Sequence, residues 1–231
     1  MWKFVCLLAM SWCAVANSNT DKDRADILEE HTRARETVTP TASNMQLLRY
    51  SLNLETLAQQ WAAKCTNRSA NSTLLPNHTN ISVSWIYLPS EKPQYRDVLP
   101  FFNNHFKDYF YENNSCSGNC RMYIQYVWKN TTEVGCGMSP CYNGSNTSGN
   151  RRYLVACAYY PAGNIEGLRP YANGSSCSAC PTDFFCHRNQ CSKETSLLPN
   201  ATTTSIAVTP VSGEVPMWAI LLFSVLSSAT S

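Results

Sequence analysis

The sequence lacks both a strong charge excess and a long apolar run. Its formal net charge is +2 over 231 residues, and its basic residues form no stripe. Proteins that bind nucleic acid carry a clustered basic surface, so this class is excluded. The sequence contains no run of the roughly 20 apolar residues that a transmembrane helix needs. It also shows no internal repeat, and its two most apolar stretches lie at the two ends.

The N-terminal apolar stretch has the pattern of a secretory signal. Lys3 precedes a run that begins at Phe4, and Ala14-Val15-Ala16 forms an A-x-A cleavage site. A run this short does not span a bilayer. We therefore predict a signal peptide over residues 1–16, which places the protein in the secretory pathway.

The C-terminal apolar stretch predicts a GPI-attachment signal over residues 215–231. Its strongly apolar part is Met217 to Leu226, and no basic residue follows Lys193. A hydrophobic tail behind a polar spacer with small residues is typical of GPI signals. Ser205 and Ser212 are small-residue sites, and we take Ser212 as the attachment residue. The alternative to a GPI signal is a weak single-pass anchor or a plain apolar tail. The alternative localisation is a secreted protein.

Ten cysteines remain after signal cleavage, an even number that in a secreted chain indicates five disulfides. A metal site at the CSAC segment would need reduced thiolates, which an oxidising compartment does not maintain. Sequons of the form N-x-[ST] agree with secretion and mark surface loops. They occur at Asn67, Asn71, Asn77, Asn80, Asn113, Asn130, Asn143, Asn146, Asn173 and Asn200.

The apolar spacing predicts an α+β domain over residues 23–171. Helices are expected at Asp23 to Thr37 and at Leu54 to Lys64, the second with Asn53 as its N-cap. Strands are expected at 83–89, 134–138 and 151–161. Pro100 would interrupt or begin a helix that carries Phe102, His105, Phe106 and Tyr109. A Cys-rich hinge at 172–192, too small to bury a core, and a Ser/Thr/Pro stalk at 193–214 follow.

Several segments, in order, resemble the CAP superfamily of cysteine-rich secretory, antigen 5 and pathogenesis-related proteins. They are HTRAR, LLRYSLNLETLAQQWAAKC, MYIQYVWKN, VGCG, LVACAYYPAGNIEGLRPY and CSACP. The layout most resembles the membrane-anchored, peptidase-inhibitor-like and glioma-pathogenesis-related branch. The resemblance implies an α-β-α sandwich followed by the hinge. It also implies the disulfides Cys65–Cys141, Cys116–Cys120, Cys136–Cys157, Cys177–Cys186 and Cys180–Cys191.

The resemblance further implies a central cleft, which in many members holds two histidines and two glutamates able to bind a divalent metal. His78 matches the first histidine, whereas Val83 stands at the first glutamate and Met122 at the second histidine. His105 falls at the second glutamate, with Glu112 nearby if the alignment slips. Valine has no ligand atom, and a thioether is a poor zinc or magnesium ligand. We therefore predict a degenerate site with no metal, no cofactor and no catalytic residue.

The remaining candidate for ligand binding is an aromatic segment. Phe101, Phe106 and Tyr109 fit the aromatic-x4-aromatic-x2-aromatic pattern called the caveolin-binding motif, which in some CAP proteins accompanies sterol binding. A helix that packs its aromatic side chains onto the sheet explains the same pattern. A fatty-acid channel between helices is a second lipid route known in the family.

The function predicted from these residues is non-enzymatic binding at the outer face of the cell membrane. Recognition of an unknown extracellular protein is the first hypothesis, and sterol or fatty-acid binding is the second. Regulation of a peptidase is the third, and it rests on the family branch alone, because no reactive-site loop is identifiable.

Overall fold

The computed structural model describes residues 18–66, 80–89, 91–142 and 151–197, and for His105 and Phe106 it describes the backbone only. Several predictions lie outside these ranges. They concern the signal peptide, His78, the stalk beyond residue 197, the GPI signal with Ser205 and Ser212, and the sequons at Asn67, Asn71, Asn77, Asn143, Asn146 and Asn200.

Two long helices form where the apolar spacing predicts them. Helix α1 covers Asp21–Glu36 and begins with a capping box between Thr20 and Asp23. Helix α2 covers Leu52–Ala63, and its N-cap is Ser51. The prediction of Asn53 as the N-cap is therefore wrong by two residues, because Asn53 lies inside the first turn.

Four strands form the central sheet in the order β1-β5-β6-β2. The short strand β1 (Arg49–Tyr50) pairs in parallel with β5 (Glu133–Tyr142). Strand β6 (Arg151–Tyr160) pairs antiparallel with β5 on one side and with β2 (Ser82–Pro89) on the other. Strand β2 is thus an edge strand.

One face of the sheet is covered by α2 and the other by α1 together with two shorter helices, α3 (Tyr95–Asn103) and α4 (Arg121–Tyr126). The α2 face buries Leu54, Leu57, Ala58, Trp61, Ala62, Cys141, Leu154, Ala156 and Ala158. The α1 face buries Ile27, Ala34, Leu48, Tyr95, Val98, Leu99, Phe102, Tyr126, Val134, Cys136, Val155, Cys157 and Tyr159. This layering is the expected α-β-α sandwich.

Two glycines of the VGCG segment let α2 lie directly on β5. A Cβ atom at Gly135 would come within 2.2 Å of the Glu55 backbone nitrogen, and one at Gly137 within 2.5 Å of the Gln59 backbone. Any side chain at these two positions would push the helix off the sheet. The motif therefore has a packing role in this chain.

The segment around Pro100 differs from the prediction. Pro100 lies inside α3, which ends three residues later and continues as a 3₁₀ turn at Asn104–Asp108. Tyr109 then begins the two-residue strand β3 (Tyr109–Phe110), which pairs with β4 (Ser115–Cys116). Tyr109 is therefore not on the helix that carries Phe102.

Five disulfides are formed, in the same pairs that the family resemblance implies. Cys136–Cys157 joins β5 to β6, and Cys65–Cys141 joins the residue after α2 to β5. The hinge contains strands β7 (Phe185–His187) and β8 (Gln190–Ser192), and a 3₁₀ turn at Thr195–Leu197 follows.

The hinge is also docked on α1, a contact that its cysteine content did not indicate. Arg188 donates hydrogen bonds to both Glu29 oxygens, at 2.7 and 2.9 Å, and to Glu36 at 2.8 Å. The buried Gln190 side chain donates to the Thr32 carbonyl at 3.2 Å. Both hinge disulfides join hinge residues to each other, so contacts of this kind hold the hinge against α1.

Candidate functional site

The structure does not bring Val83 and Met122 together, the two predicted tetrad positions whose side chains it describes. Met122 lies in α4 and packs against the cluster on the α1 face, whereas Val83 packs against the cluster on the α2 face. Successive strand residues point to opposite faces of a sheet, so Ser82 and Ser84 share the face of Met122 and Val83 does not. His105 lies in the 3₁₀ turn after α3.

A closed polar network occupies the α4 side of β2. Ser82 Oγ donates to the side-chain oxygen of the buried Gln125, which also accepts from the Gly163 backbone N–H at 2.8 Å. Gln125 Nε2 donates to Thr131 Oγ1 at 3.1 Å, and that hydroxyl donates to the Pro161 carbonyl at 2.9 Å. Ser82 thus directs its hydroxyl hydrogen to a neutral amide and not to a base. A serine nucleophile needs such a base, so this arrangement suits structure rather than hydrolysis.

His31, the one histidine on α1, is fully buried and acts as a structural group. Its Nδ1–H donates to the Ile27 carbonyl at 2.7 Å, which leaves Nε2 to accept from the Tyr159 hydroxyl at 3.1 Å. Its ring stacks on Tyr126 with centroids 4.0 Å apart. Burial lowers the pKa of His31 to about 3, so the ring stays neutral at physiological pH.

Arg35, one helical turn after His31, is a residue whose role the sequence reasoning missed. It is buried, and its two terminal nitrogens donate to backbone carbonyls of Tyr126, Trp128, Gln46 and Thr131 at 2.7–3.2 Å. It therefore ties α1 to α4 and to the segments before β1 and β5. The HTRAR segment drew attention to Arg35, but the sequence alone did not indicate which groups would accept its hydrogen bonds.

The predicted lipid-binding residues do not share one surface. The Phe101 side chain is 46% exposed on α3, whereas Tyr109 is buried with Tyr123 and Val127. Nothing can be said of the Phe106 side chain. Tyr109 also donates its hydroxyl hydrogen to Asn114 at 2.8 Å. The three-residue pattern therefore does not describe one exposed aromatic site.

Among the described residues, no three His, Cys, Asp or Glu side chains lie close enough together to hold a metal ion. No helix within the same ranges is both long and apolar enough to cross a bilayer.

Comparison with known proteins identifies the family. The CAP family model, described as "Cysteine-rich secretory protein family", matches residues 28–159. The chain belongs to the CAP family.

Its CAP relatives include proteins of different length. The chain is 35% identical over 193 residues to mouse cysteine-rich secretory protein LCCL domain-containing 1, covering 76% of this chain but 37% of that protein. It therefore spans little more than a third of that relative. Human GLIPR1-like protein 1 is 29% identical over 214 residues, covering 86% of each chain. Human cysteine-rich secretory protein 2 is 31% identical, covering 72% of this chain and 67% of that protein.

Solved CAP structures share the fold. The crystal structure of Na-ASP-1 has a TM-score of 0.65 at 20% identity and covers 77% of this chain and 49% of that one. The crystal structure of NaASP2 with Zn2+ has a TM-score of 0.63 at 22% identity and covers 77% and 98%. At these identities the likeness concerns the fold alone.

Two cavities bear on small-ligand binding by this CAP domain. The one between α1 and α3 has a volume of about 240 Å³, and its lining includes Glu30, Arg33 and Asn103. It is smaller than typical ligand pockets and partly charged.

The larger cavity, about 560 Å³, lies at the N-terminus of α1. Asn19 lies in its wall. The Asn19 side chain donates to the Tyr50 hydroxyl and the Cys136 carbonyl and accepts from the Tyr95 hydroxyl, at 2.8–2.9 Å. Lys22 and Asp23 are among the residues at its wall. Polar groups with both charge signs suit a polar ligand better than a sterol.

A third feature is a set of exposed apolar side chains on two neighbouring segments. Phe110, Ile165 and Leu168 are 51%, 53% and 56% exposed, and we call them the loop surface. Arg169 donates to the carbonyls of Tyr111 and Glu112 at 3.0 and 2.7 Å, which joins the loop after β6 to the turn after β3. Sequence reasoning missed this surface, because the pairing of the two segments is long-range.

Proposed function

We propose that this protein is a non-enzymatic, N-glycosylated CAP protein that binds another extracellular protein. The observation that carries the proposal is the loop surface of Phe110, Ile165 and Leu168. Large apolar side chains that are half exposed on adjoining segments are typical of protein recognition sites.

The loop surface is held in place before any partner arrives. Arg169 anchors it by two hydrogen bonds and lies 5.4 Å above the Tyr111 ring. Tyr111 in turn stacks on Tyr171 at 5.1 Å and donates its hydroxyl hydrogen to the Tyr171 carbonyl. A preorganised surface loses less conformational entropy on binding, which favours recognition by apolar contact.

The absence of enzymatic chemistry is part of the proposal. Ser82 faces a neutral amide, and His31 is buried and neutral. All ten mature cysteines are in disulfides. None of these groups therefore pairs a nucleophile with a base.

The extracellular setting is proposed from three features. The relatives include secretory proteins by name, and five disulfides suit an oxidising compartment. The sequon residues that the structure describes, Asn80, Asn113, Asn130 and Asn173, are all exposed.

The C-terminal apolar stretch supports a GPI anchor, with Ser212 as the proposed attachment residue. Phospholipase C specific for GPI should then release the full chain from cells, and retention would exclude this anchor.

Cells that display the full chain provide the test of protein recognition. They are probed with a library of tagged extracellular domains, and each binder is measured again on cells that display Ile165→Ser/Leu168→Ser. Loss of two apolar contacts should weaken binding by at least about tenfold. Leu52→Ser is the matched control, because Leu52 is 60% exposed on α2.

Binding that resists Ile165→Ser/Leu168→Ser would exclude the loop surface as the recognition site. Saturable binding of labelled cholesterol or a fatty acid to the same cells, in the absence of any protein binder, would instead favour the lipid hypothesis. Loss of that lipid binding in Phe101→Ser would locate it on α3.

A further inference from the structure

Within the described residues, strand β2 forms an open edge of the central sheet. It is eight residues long, it pairs on one side with β6, and no described strand pairs with its other side. Its sequence, SVSWIYLP, contains no charged residue. Natural edge strands are usually protected by charged side chains, bulges or covering segments, because an open edge can pair with another chain.

The cross-strand cysteines reveal which backbone groups point outward. Cys136 and Cys157 lie directly opposite each other with their Cα atoms 4.0 Å apart, the spacing of a non-hydrogen-bonded antiparallel pair. The N–H and C=O groups of Cys157 therefore point away from β5 and towards β2. Consistently, the Cys136 carbonyl points away from β6 and accepts from Asn19 at 2.8 Å.

The same alternation determines which backbone N–H and C=O groups of β2 point to β6 and which point to the open edge. Ser84 lies opposite Cys157, so its N–H and C=O point inward to β6. The N–H and C=O groups of Val83, Trp85 and Tyr87 consequently point to the open edge. Their three side chains pack on the α2 face, and the Trp85 and Tyr87 rings meet edge to face at 5.7 Å.

We propose that this edge binds β2 of a second copy of the chain, antiparallel and about a two-fold axis at Trp85. In this register Trp85 lies opposite Trp85 of the second copy, and Val83 opposite its Tyr87. Every outward N–H and C=O of these three residues then has a partner, and side chains from the same sheet face lie together. The central sheets of the two copies then form one continuous sheet.

Neighbouring registers satisfy fewer groups. An axis at Ile86 places Val83 opposite Pro89, which has no N–H, and an axis at Ser84 places Tyr87 opposite Ile81, which precedes the strand. The uncharged sequence also brings no like charges together across the axis. The sequon residue Asn80 does not face this edge, because its side-chain oxygen accepts from the Ala162 N–H beside β6.

The first test uses one hydrogen-bond donor. The full chain is expressed on cells in two tagged forms, and recovery of one tag with the other is measured for wild type, Val83→Pro and Val83→Thr. Proline removes the outward N–H, is tolerated at an edge, and leaves the inner ladder intact. Recovery should fall by roughly tenfold in Val83→Pro and stay at the wild-type level in Val83→Thr.

A second test reads the register and does not depend on the folding of the proline variant. Trp85→Cys should give a disulfide-linked dimer on a non-reducing gel, because a directly opposite pair lies within the Cα range of a disulfide. Val83→Cys should not, since its copy lies four residues away along the strand, about 13 Å.

Failure of the wild-type tags to be recovered together would overturn the proposal. So would undiminished recovery in a surface-expressed Val83→Pro, or a cross-link at position 83 without one at position 85.

Discussion

Replacing Arg35 by methionine should destabilise the fold more than replacement of an exposed arginine on the same helix. The Arg35 guanidinium lies in the interior, where four backbone carbonyls from three segments accept its hydrogen bonds. Methionine keeps the apolar stem of the side chain but has no donor. The substitution therefore removes the hydrogen bonds with little loss of volume.

The size of the effect follows from the burial of the acceptors. The bonds to Tyr126, Trp128 and Thr131 are buried, whereas the bond to Gln46 is partly accessible to water. A buried carbonyl left without a partner costs about 1–3 kcal/mol. The Trp128 carbonyl keeps a partner, because it also accepts from the Thr131 backbone N–H at 3.1 Å. The carbonyls of Tyr126 and Thr131 lose theirs, which gives a loss of about 2–6 kcal/mol. For a domain of this size, that loss lowers the melting temperature by about 5–20 °C.

Thermal unfolding, followed by circular dichroism with the disulfides intact, measures this difference. Arg33→Met is the matched control, because Arg33 is 59% exposed and pairs at the surface with Glu30. Surface ion pairs contribute about 0–1 kcal/mol, so the control should melt within about 3 °C of wild type. An Arg35→Met variant that melts as close to wild type as the control would refute the structural role assigned to Arg35.

Three further predictions concern the acid range, the hinge and metal binding. Because burial lowers the pKa of His31 from 6.5 to about 3, the unfolded chain binds a proton in this range that the folded chain does not. Wild-type stability should therefore fall between pH 6.5 and 3, by up to about 1.4 kcal/mol per pH unit more than that of His31→Gln, and calorimetry at pH 7, 5 and 4 measures the difference. Arg188→Ala should cost about 1 kcal/mol and speed hydrogen exchange in the hinge, whereas unchanged exchange would show that other contacts, such as the Cys191 N–H bond to the Met45 carbonyl, hold it. Zinc titration should give no calorimetric signal, and a micromolar 1:1 signal would contradict the predicted absence of a metal site.

The periodic parts of the fold could be predicted from the sequence. Helix α1 and strands β2 and β6 differ from the predicted bounds by at most two residues. The helix has apolar residues at helical spacing, and both strands are rich in β-branched and aromatic residues. The end of α3 could not be predicted, since Pro100 was compatible with either beginning or interrupting a helix. The helix was expected to carry Tyr109, which in the structure begins β3.

The candidate site was harder to predict, because it depends on which face of the sheet each residue joins. Aligning Val83 with the family acid fixed its position along the strand but not the direction of its side chain. A shift of one residue in a strand moves a side chain to the opposite face. The docking of Arg188 on α1 and the anchoring of the loop surface by Arg169 were also beyond sequence reasoning, since both join segments far apart in the chain.

The alternating direction of successive residues along β2 explains both its outward backbone groups and the separation of Val83 from Met122. Residues 83, 85 and 87 direct their side chains to the α2 face and their backbone groups to the open edge, while Ser82 and Ser84 face the layer that contains Met122. An acid introduced at Val83 would therefore lie in the α2 layer, away from Met122, whereas one introduced at Ser84 would share its face. The strand register therefore separates Val83 from Met122, so an acid at position 83 would not complete the predicted tetrad.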